Sequence, residues 1–235
     1  MKKEKRKILG YLILMAMLII MVIVMRHKEK PVFEEMKLVA LTYDDGPSTL
    51  TTEKLIEILE KYNASATFFV NGNHATANKK LVKKIVESGN EIGNHTLDHV
   101  WLTKLNDEEK IRQINGNENL LRFLSGQAGP MLVRPPYGDI NQSVLDLFDQ
   151  PFIMWSVDSR DWEVKDAAAI QNNVFSQIQD GDIIIMHDGY SSTIQGSEDV
   201  LKRLNAEGFQ VVSVSRLFEL KNKEIPAHQK VNHCR

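Results

Sequence analysis

The chain has 235 residues, 29 Lys and Arg against 31 Asp and Glu, and 43% hydrophobic residues, the composition of one globular domain with something added. Its one cysteine, Cys234, excludes an intramolecular disulfide, so stability must come from a packed core. Residues 1–30 hold 8 basic and 2 acidic side chains, which leaves 21 basic and 29 acidic, or −8, on the rest; such a body argues against a nucleic-acid reader, whose binding begins from a basic surface.

Residues 1–7 form a basic segment, and residues 8–25 read ILGYLILMAMLIIMVIVM, eighteen positions without a charge and long enough to cross a bilayer as a helix. Five basic residues precede the run and three follow it (Arg26, Lys28, Lys30), so the positive-inside bias leaves the N-terminus cytoplasmic and the body extracellular. The run ends in Val-Met-Arg-His without a small-residue pair, which favours an uncleaved single-pass anchor in the cell membrane over a cleaved signal peptide. Residues 26–36 are charged, carry Pro31 and read as a spacer. The folded domain is expected over residues 37–220. The tail, residues 221–235, contains His228, His233 and Cys234 without metal-site spacing and reads as a mostly solvated extension.

Within the domain, short apolar runs recur at residues 38–42, 66–70, 91–93, 132–134, 152–156, 183–186 and 210–214, each patterned as a buried strand. Helical patterns alternate with them. Leu55, Ile58, Leu59 and Tyr62 share one face behind Thr52 as a cap, and Leu81, Val82, Ile85 and Val86 end at Gly89. Asn106 with Glu109 resembles a capping box that opens a helix through Leu124; Asp166 caps one through Ile178; Val200, Leu201 and Leu204 close at Gly208. This alternation predicts an α/β fold with a parallel sheet, open or closed into a barrel, and functional groups where strands end.

Each polar cluster follows such a run. In Thr42-Tyr43-Asp44-Asp45-Gly46-Pro47, two adjacent carboxylates repel unless a cation or a proton separates their roles, so one metal ligand and one base are suggested; Asp-Gly-Pro is also ordinary turn chemistry. His95 and His99, four apart, can face one way on a helical turn and hold Zn²⁺, or be two surface histidines. Asp45 can complete a site of two histidines and one carboxylate with positions open to water and substrate. Arg134, before Pro135-Pro136-Tyr137-Gly138, needs a carboxylate if buried, and Asp44 is a candidate; the bland alternative is a proline turn with a surface arginine. Asp158-Ser159-Arg160-Asp161-Trp162, after Trp155, can supply an acidic partner and an aromatic wall. His187 ends the apolar run 183–186 and is either a satisfied structural histidine or, beside a carboxylate, a general acid.

Taken together and in order, TYDDG, HTLDH, RPPYG, DSRDW and IIIMHDG resemble the five signature motifs of the polysaccharide deacetylase family, carbohydrate esterase family four, across residues 38–214. The resemblance implies a distorted (β/α)7 barrel and metal-dependent removal of acetyl groups from amino sugars. By position it makes Asp45, His95 and His99 the metal ligands and Asp44 the general base, oriented by Arg134. It makes His187 the general acid adjusted by Asp161, Tyr137 the source of an oxyanion-binding N–H, and Trp162 with Ile185 the walls of the acetyl pocket. The metal expected is Zn²⁺, with Co²⁺, Ni²⁺ or Mn²⁺ as alternatives.

The expected substrate, given the anchor, is a cell-wall glycan, first N-acetylglucosamine of peptidoglycan. A chitin-like oligomer or an O-acetylated surface glycan would use the same chemistry, and a silent glycan-binding protein on the same fold is the reading of another class. No nucleic acid is expected, and the expected unit is a monomer. Tyr43 and Ile185 stand where the family commonly has phenylalanine and leucine, and Val100-Trp101 replaces Pro-Asn. Trp101 is then either a sugar-stacking surface or packing between loops.

Overall fold

The computed structural model describes Met15, Met17, Met21 and residues 36–235 apart from Pro130. The predicted membrane segment, residues 8–25, therefore lies outside the described residues except for those three methionines, which are helical and exposed. Among the described residues no helix is long and apolar enough to cross a membrane. The chain divides into two units, Met1–Met36 and Lys37–Arg235, and the second carries the sheet, its helices and the site.

The strands of this unit are β1 (Lys37–Asp44), β2 (Ala66–Val70), β3 (Glu91–Asn94), β4 (Phe152–Ile153), β5 (Val157–Asp158), β6 (Ile183–His187), β7 (Phe209–Val212) and β8 (Lys230–Val231). Around them lie α1 (Thr52–Lys61), α2 (Gly72–Ala77), α3 (Lys79–Glu87), α4 (Asp107–Ser125), α5 (Gln142–Leu145), α6 (Asp161–Val164), α7 (Ala167–Phe175), α8 (Ser191–Ala206) and α9 (Val214–Leu220). The fold is α/β with a parallel sheet. β1 is central, and every position after Lys37 is buried. A strand covered on both sides must satisfy its polar side chains internally. Thr42 accordingly donates to the Ile184 carbonyl at 2.6 Å, and the Tyr43 hydroxyl donates to Ser197 Oγ at 2.9 Å.

β1 pairs in parallel with β2 and β6 through its C-terminal half, and with β7 through residues 37–40; β2 pairs with β3 and β5 with β6. All seven predicted runs thus enter the pairing, three of them altered: the last ends at Val212. Residues 132–134 are reduced to Val133, which bridges Asn94 on one side and Phe152 on the other. Pro135 and Pro136 follow immediately and have no N–H to extend a ladder. The run at 152–156 is split: β4 lies against Val133 and β8, while β5 reaches β6, so both ends of the parallel sheet meet on residues 152–158.

Several local expectations are corrected. Thr52 is not a cap but the first residue of α1, because its hydroxyl and that of Thr51 both donate to Asp188, each at 2.5 Å. α7 ends at Phe175 rather than Ile178, and Val214 opens α9 instead of ending a strand. Asn106 and Asp166 do cap α4 and α7, each accepting from the backbone N–H three residues on. The tail is mostly exposed, as expected, but its end is docked. β8 extends the sheet beside β4, Val231 and Cys234 are buried, the Cys234 N–H donates to the Gly181 carbonyl at 2.7 Å, and the Arg235 guanidinium pairs with buried Asp182 at 2.5 Å.

Candidate active site

Asp44 ends β1, with Asp45 just past it, on the rim where β6 also stops, and Asp44 and His187 are register partners in adjacent strands. Asp45 has φ +72°, a conformation unfavourable for a side chain with a Cβ, and this reversal sends two consecutive carboxylates to different partners. Asp44 is buried and accepts from Arg134 Nη1 at 2.7 Å. Arg134 is itself fully buried, and its other donors go to Thr42 Oγ1 and the carbonyls of Ile153 and Met154, with its plane 4.1 Å from the Phe69 ring centre. Burial lowers the proton affinity of this guanidinium, and the Asp44 charge opposes that effect. A buried ion pair persists only when its hydrogen bonds are met, and here they are.

His95 and His99 converge as their spacing predicts, but not on a helical turn. Residues 95–101 are a loop, with Thr96 at φ +65° and His99 at φ +54°. His95 Nδ1 is 2.8 Å from the Arg134 carbonyl, which leaves Nε2 bare and directed at Asp45 Oδ1, 3.4 Å away. His99 Nε2 lies 3.1 Å from the same oxygen, and its Nδ1 is 3.2 Å from the Tyr137 hydroxyl. Donors bound about 2.0–2.1 Å from a tetrahedral ion stand about 3.3 Å apart, so these separations fit one metal ion at Asp45, His95 and His99. Nδ1 partners that fix the ring orientation are the usual support of such histidines. Burial opposes ionisation of Asp45, but the two histidines outweigh it and hold its carboxyl far below the usual range.

Across the rim, His187 Nδ1 is 2.8 Å from Asp161 Oδ1, and the His187 N–H donates to Oδ2 of the same carboxylate at 2.8 Å. Asp161 is fully buried, with Thr193 and Ser159 hydroxyls on its oxygens. Burial pulls the imidazole down, yet the Asp161 hydrogen bond and charge, helped by Asp44 and Asp45, push it up to about 9. His187 therefore carries a proton at neutral pH.

A cavity of about 480 Å³ joins the two halves, lined by Asp44, Asp45, His95, His99, Tyr137, Trp162, Ile185 and His187 among others. Arg134 and Asp161 lie behind it, each holding a lining residue. Trp155 and Asp158 also line it, as do Gly138 and Tyr190, which the sequence reading missed. Tyr190 had a usable signal, an aromatic three residues past His187 on the same strand end. Asp188 was missed as well. Burial raises its proton affinity, and it accepts from the Thr51 and Thr52 hydroxyls, tying the segment after Asp45 to the strand that ends in His187. The arrangement sets a buried carboxylate, three groups that could hold a metal and an imidazole paired with a carboxylate around one space.

The family model described as polysaccharide deacetylase matches residues 34–150. The chain is 37% identical over 196 residues to peptidoglycan-N-acetylmuramic acid deacetylase PdaC of Bacillus subtilis, which covers 83% of this chain and 42% of that protein. It is 38% identical over 188 residues to a peptidoglycan-N-acetylglucosamine deacetylase of Bacillus cereus, covering 77% of this chain and 68% of that one. The solved structure of peptidoglycan deacetylase PdaC from Bacillus subtilis superposes with a TM-score of 0.77 at 37% identity, over 80% of this chain and 93% of that chain. The chain spans about two fifths of the length of the full Bacillus subtilis protein.

Proposed function

This chain belongs to the polysaccharide deacetylase family, and on that footing we propose that it hydrolyses the N-acetyl groups of N-acetylglucosamine residues in peptidoglycan, on a distorted (β/α)7 barrel that requires a divalent metal, Zn²⁺ first. One observation carries the reading: a carboxylate pinned by buried Arg134 and an imidazole protonated through Asp161 face one cavity that also presents Asp45, His95 and His99. A binding module needs neither a base nor an acid, which weighs against the silent reading. The name of the Bacillus subtilis relative supports a second substrate, N-acetylmuramic acid, for the same chemistry.

When bound, a divalent ion at Asp45, His95 and His99 supplies Lewis acidity to the acetyl carbonyl and acidity to water. Asp44 takes the proton of the attacking water, and Arg134 keeps that carboxylate ionised and aimed. The Tyr137 N–H stabilises the developing oxyanion. His187 delivers its proton from Nε2 to the departing nitrogen while Asp161 holds Nδ1. Trp162 and Ile185 enclose the methyl group. The apolar run 8–25 with its basic flanks supports a domain held at the outer face of the cell membrane, within reach of the wall.

The test is acetate release by the purified full chain from N-acetylglucosamine oligomers and from isolated peptidoglycan, with chelator and after Zn²⁺ is restored. Metal-restored release that is lost in Asp44→Asn supports the assignment, and the product sugar names the substrate. Protein that binds Zn²⁺ and glycan yet releases no acetate refutes it.

A further inference from the structure

Trp101 has no place in the chemistry above. It is 42% exposed, and it does not line the cavity even though its neighbour Tyr137 does. Its ring stacks on that of Tyr137, with centroids 4.2 Å apart and planes 11° from parallel, and the Lys104 ammonium lies 4.7 Å from its centre. A sugar platform needs a free aromatic face turned to the substrate, and Trp101 spends its ring on these two neighbours.

We propose that Trp101 is a positioning residue for the metal site: it braces Tyr137, whose hydroxyl holds the outer ligand His99 by Nδ1. The inference rests on the metal-site reading of Asp45, His95 and His99. The two histidines are supported unequally. His95 is buried and held by a backbone carbonyl, a partner that cannot swing away. His99 is partly exposed, has its backbone at φ +54°, and relies on a tyrosine that is itself 54% exposed. A tyrosine so exposed has rotamer freedom to lose, and stacking against Trp101 removes it.

The surroundings fix that stack. Leu102 is fully buried in a second apolar cluster and anchors the turn Leu102–Lys104. Thr103 donates through its N–H to Asp139 Oδ2 at 3.0 Å and through its hydroxyl at 2.7 Å, which ties this turn to the one carrying Tyr137. The Tyr137 ring also meets the His99 ring edge-on, with centroids 4.7 Å apart.

The experiment is Zn²⁺ titration of the metal-free full chain against a chromophoric chelator, for wild type, Trp101→Ala, Trp101→Phe, Tyr137→Phe and the Trp101→Ala/Tyr137→Phe double variant, with melting curves to confirm folding. Loss of a partner behind a ligand costs about 10-fold or more in metal affinity, so Trp101→Ala and Tyr137→Phe are each expected to weaken binding about 10-fold. Trp101→Phe, which keeps the stack, should bind as wild type does. The double variant should bind no worse than Tyr137→Phe alone, because both changes break one chain of contacts. A Zn²⁺ affinity unchanged in folded Trp101→Ala overturns the proposal, as does a raised KM for oligosaccharide at unchanged affinity, which would mark a glycan platform. Wild type that binds no Zn²⁺ overturns the metal-site reading itself, an outcome distinct from either.

Discussion

Asp161→Asn isolates what the carboxylate does for His187. Both oxygens of Asp161 accept from His187, Oδ1 from Nδ1 and Oδ2 from the backbone N–H, and no solvent reaches the group to replace them. Removing the charge leaves burial, which lowers the imidazole, opposed only by Asp44 and Asp45. The value should fall from about 9 to the ordinary 6.5 or below, and at 1.36 kcal/mol per pH unit that is a change of about 3 kcal/mol. A pH profile of kcat/KM for acetate release reads it directly. His187 must be protonated to act, so the alkaline limb belongs to its deprotonation and should move from about 9 to about 6.5. Stability gives an independent reading. A raised native value means the folded state holds the proton more tightly, so the contribution is full below about 6.5 and is lost as pH rises through about 9. That slope should vanish in the variant. An alkaline limb still near 9 in folded Asp161→Asn would refute the reasoning.

Four further outcomes are expected. Asp44→Asn should cut kcat by about 10²- to 10⁴-fold while Zn²⁺ affinity holds within a few-fold, since Asp45 lies nearer both histidines, at 3.4 and 3.1 Å, than Asp44, which is 3.9 Å from His95; calorimetric Zn²⁺ titration beside the kinetics separates the two. Arg134→Met leaves Asp44 buried without its cation and should destabilise by about 3–5 kcal/mol in a urea melt. Gly93→Ala places a Cβ 2.4 Å from the Phe69 ring beneath the His95 loop and should cost about 1–3 kcal/mol, with a lowered Tm. Deleting residues 230–235 removes buried Val231 and Cys234 and uncovers β4, which they pack beside, and should cost about 2 kcal/mol or more, whereas an undocked end would leave the urea midpoint unchanged.

The candidate site was legible in part from residue types at strand ends and in part from the order of its motifs, which resemble those of the polysaccharide deacetylase family. Burial of Arg134 demanded an acid, and Asp44 supplies it; His187 needed a carboxylate, and Asp161 supplies it. What escaped was what depends on backbone conformation or on distant partners. His95 and His99 carry helical spacing, but left-handed residues at 96 and 99 bring them together instead, and no local signal marks those. Thr52 has the chemistry of a cap, yet a buried acid 136 residues away claims its hydroxyl. The tail has too few apolar residues to show periodicity, and its docking depends on β4 and Gly181, which sequence distance hides. The stacking of Trp101 on Tyr137, 36 residues away, likewise has no local signal.

The centrality of β1 bears on how the chain comes to be folded. It is the first strand among the described residues and is buried after Lys37, yet the partner of Thr42 on its β6 side lies 142 residues later. At roughly 5–20 residues per second, synthesis leaves that flank of an apolar, unpaired segment bare for on the order of ten seconds. Long-range parallel pairing is also intrinsically slow, because the loop must close before the contact can form. The strand that ends at the site's first carboxylate therefore waits, paired on its β2 flank alone, until β6 and β7 arrive.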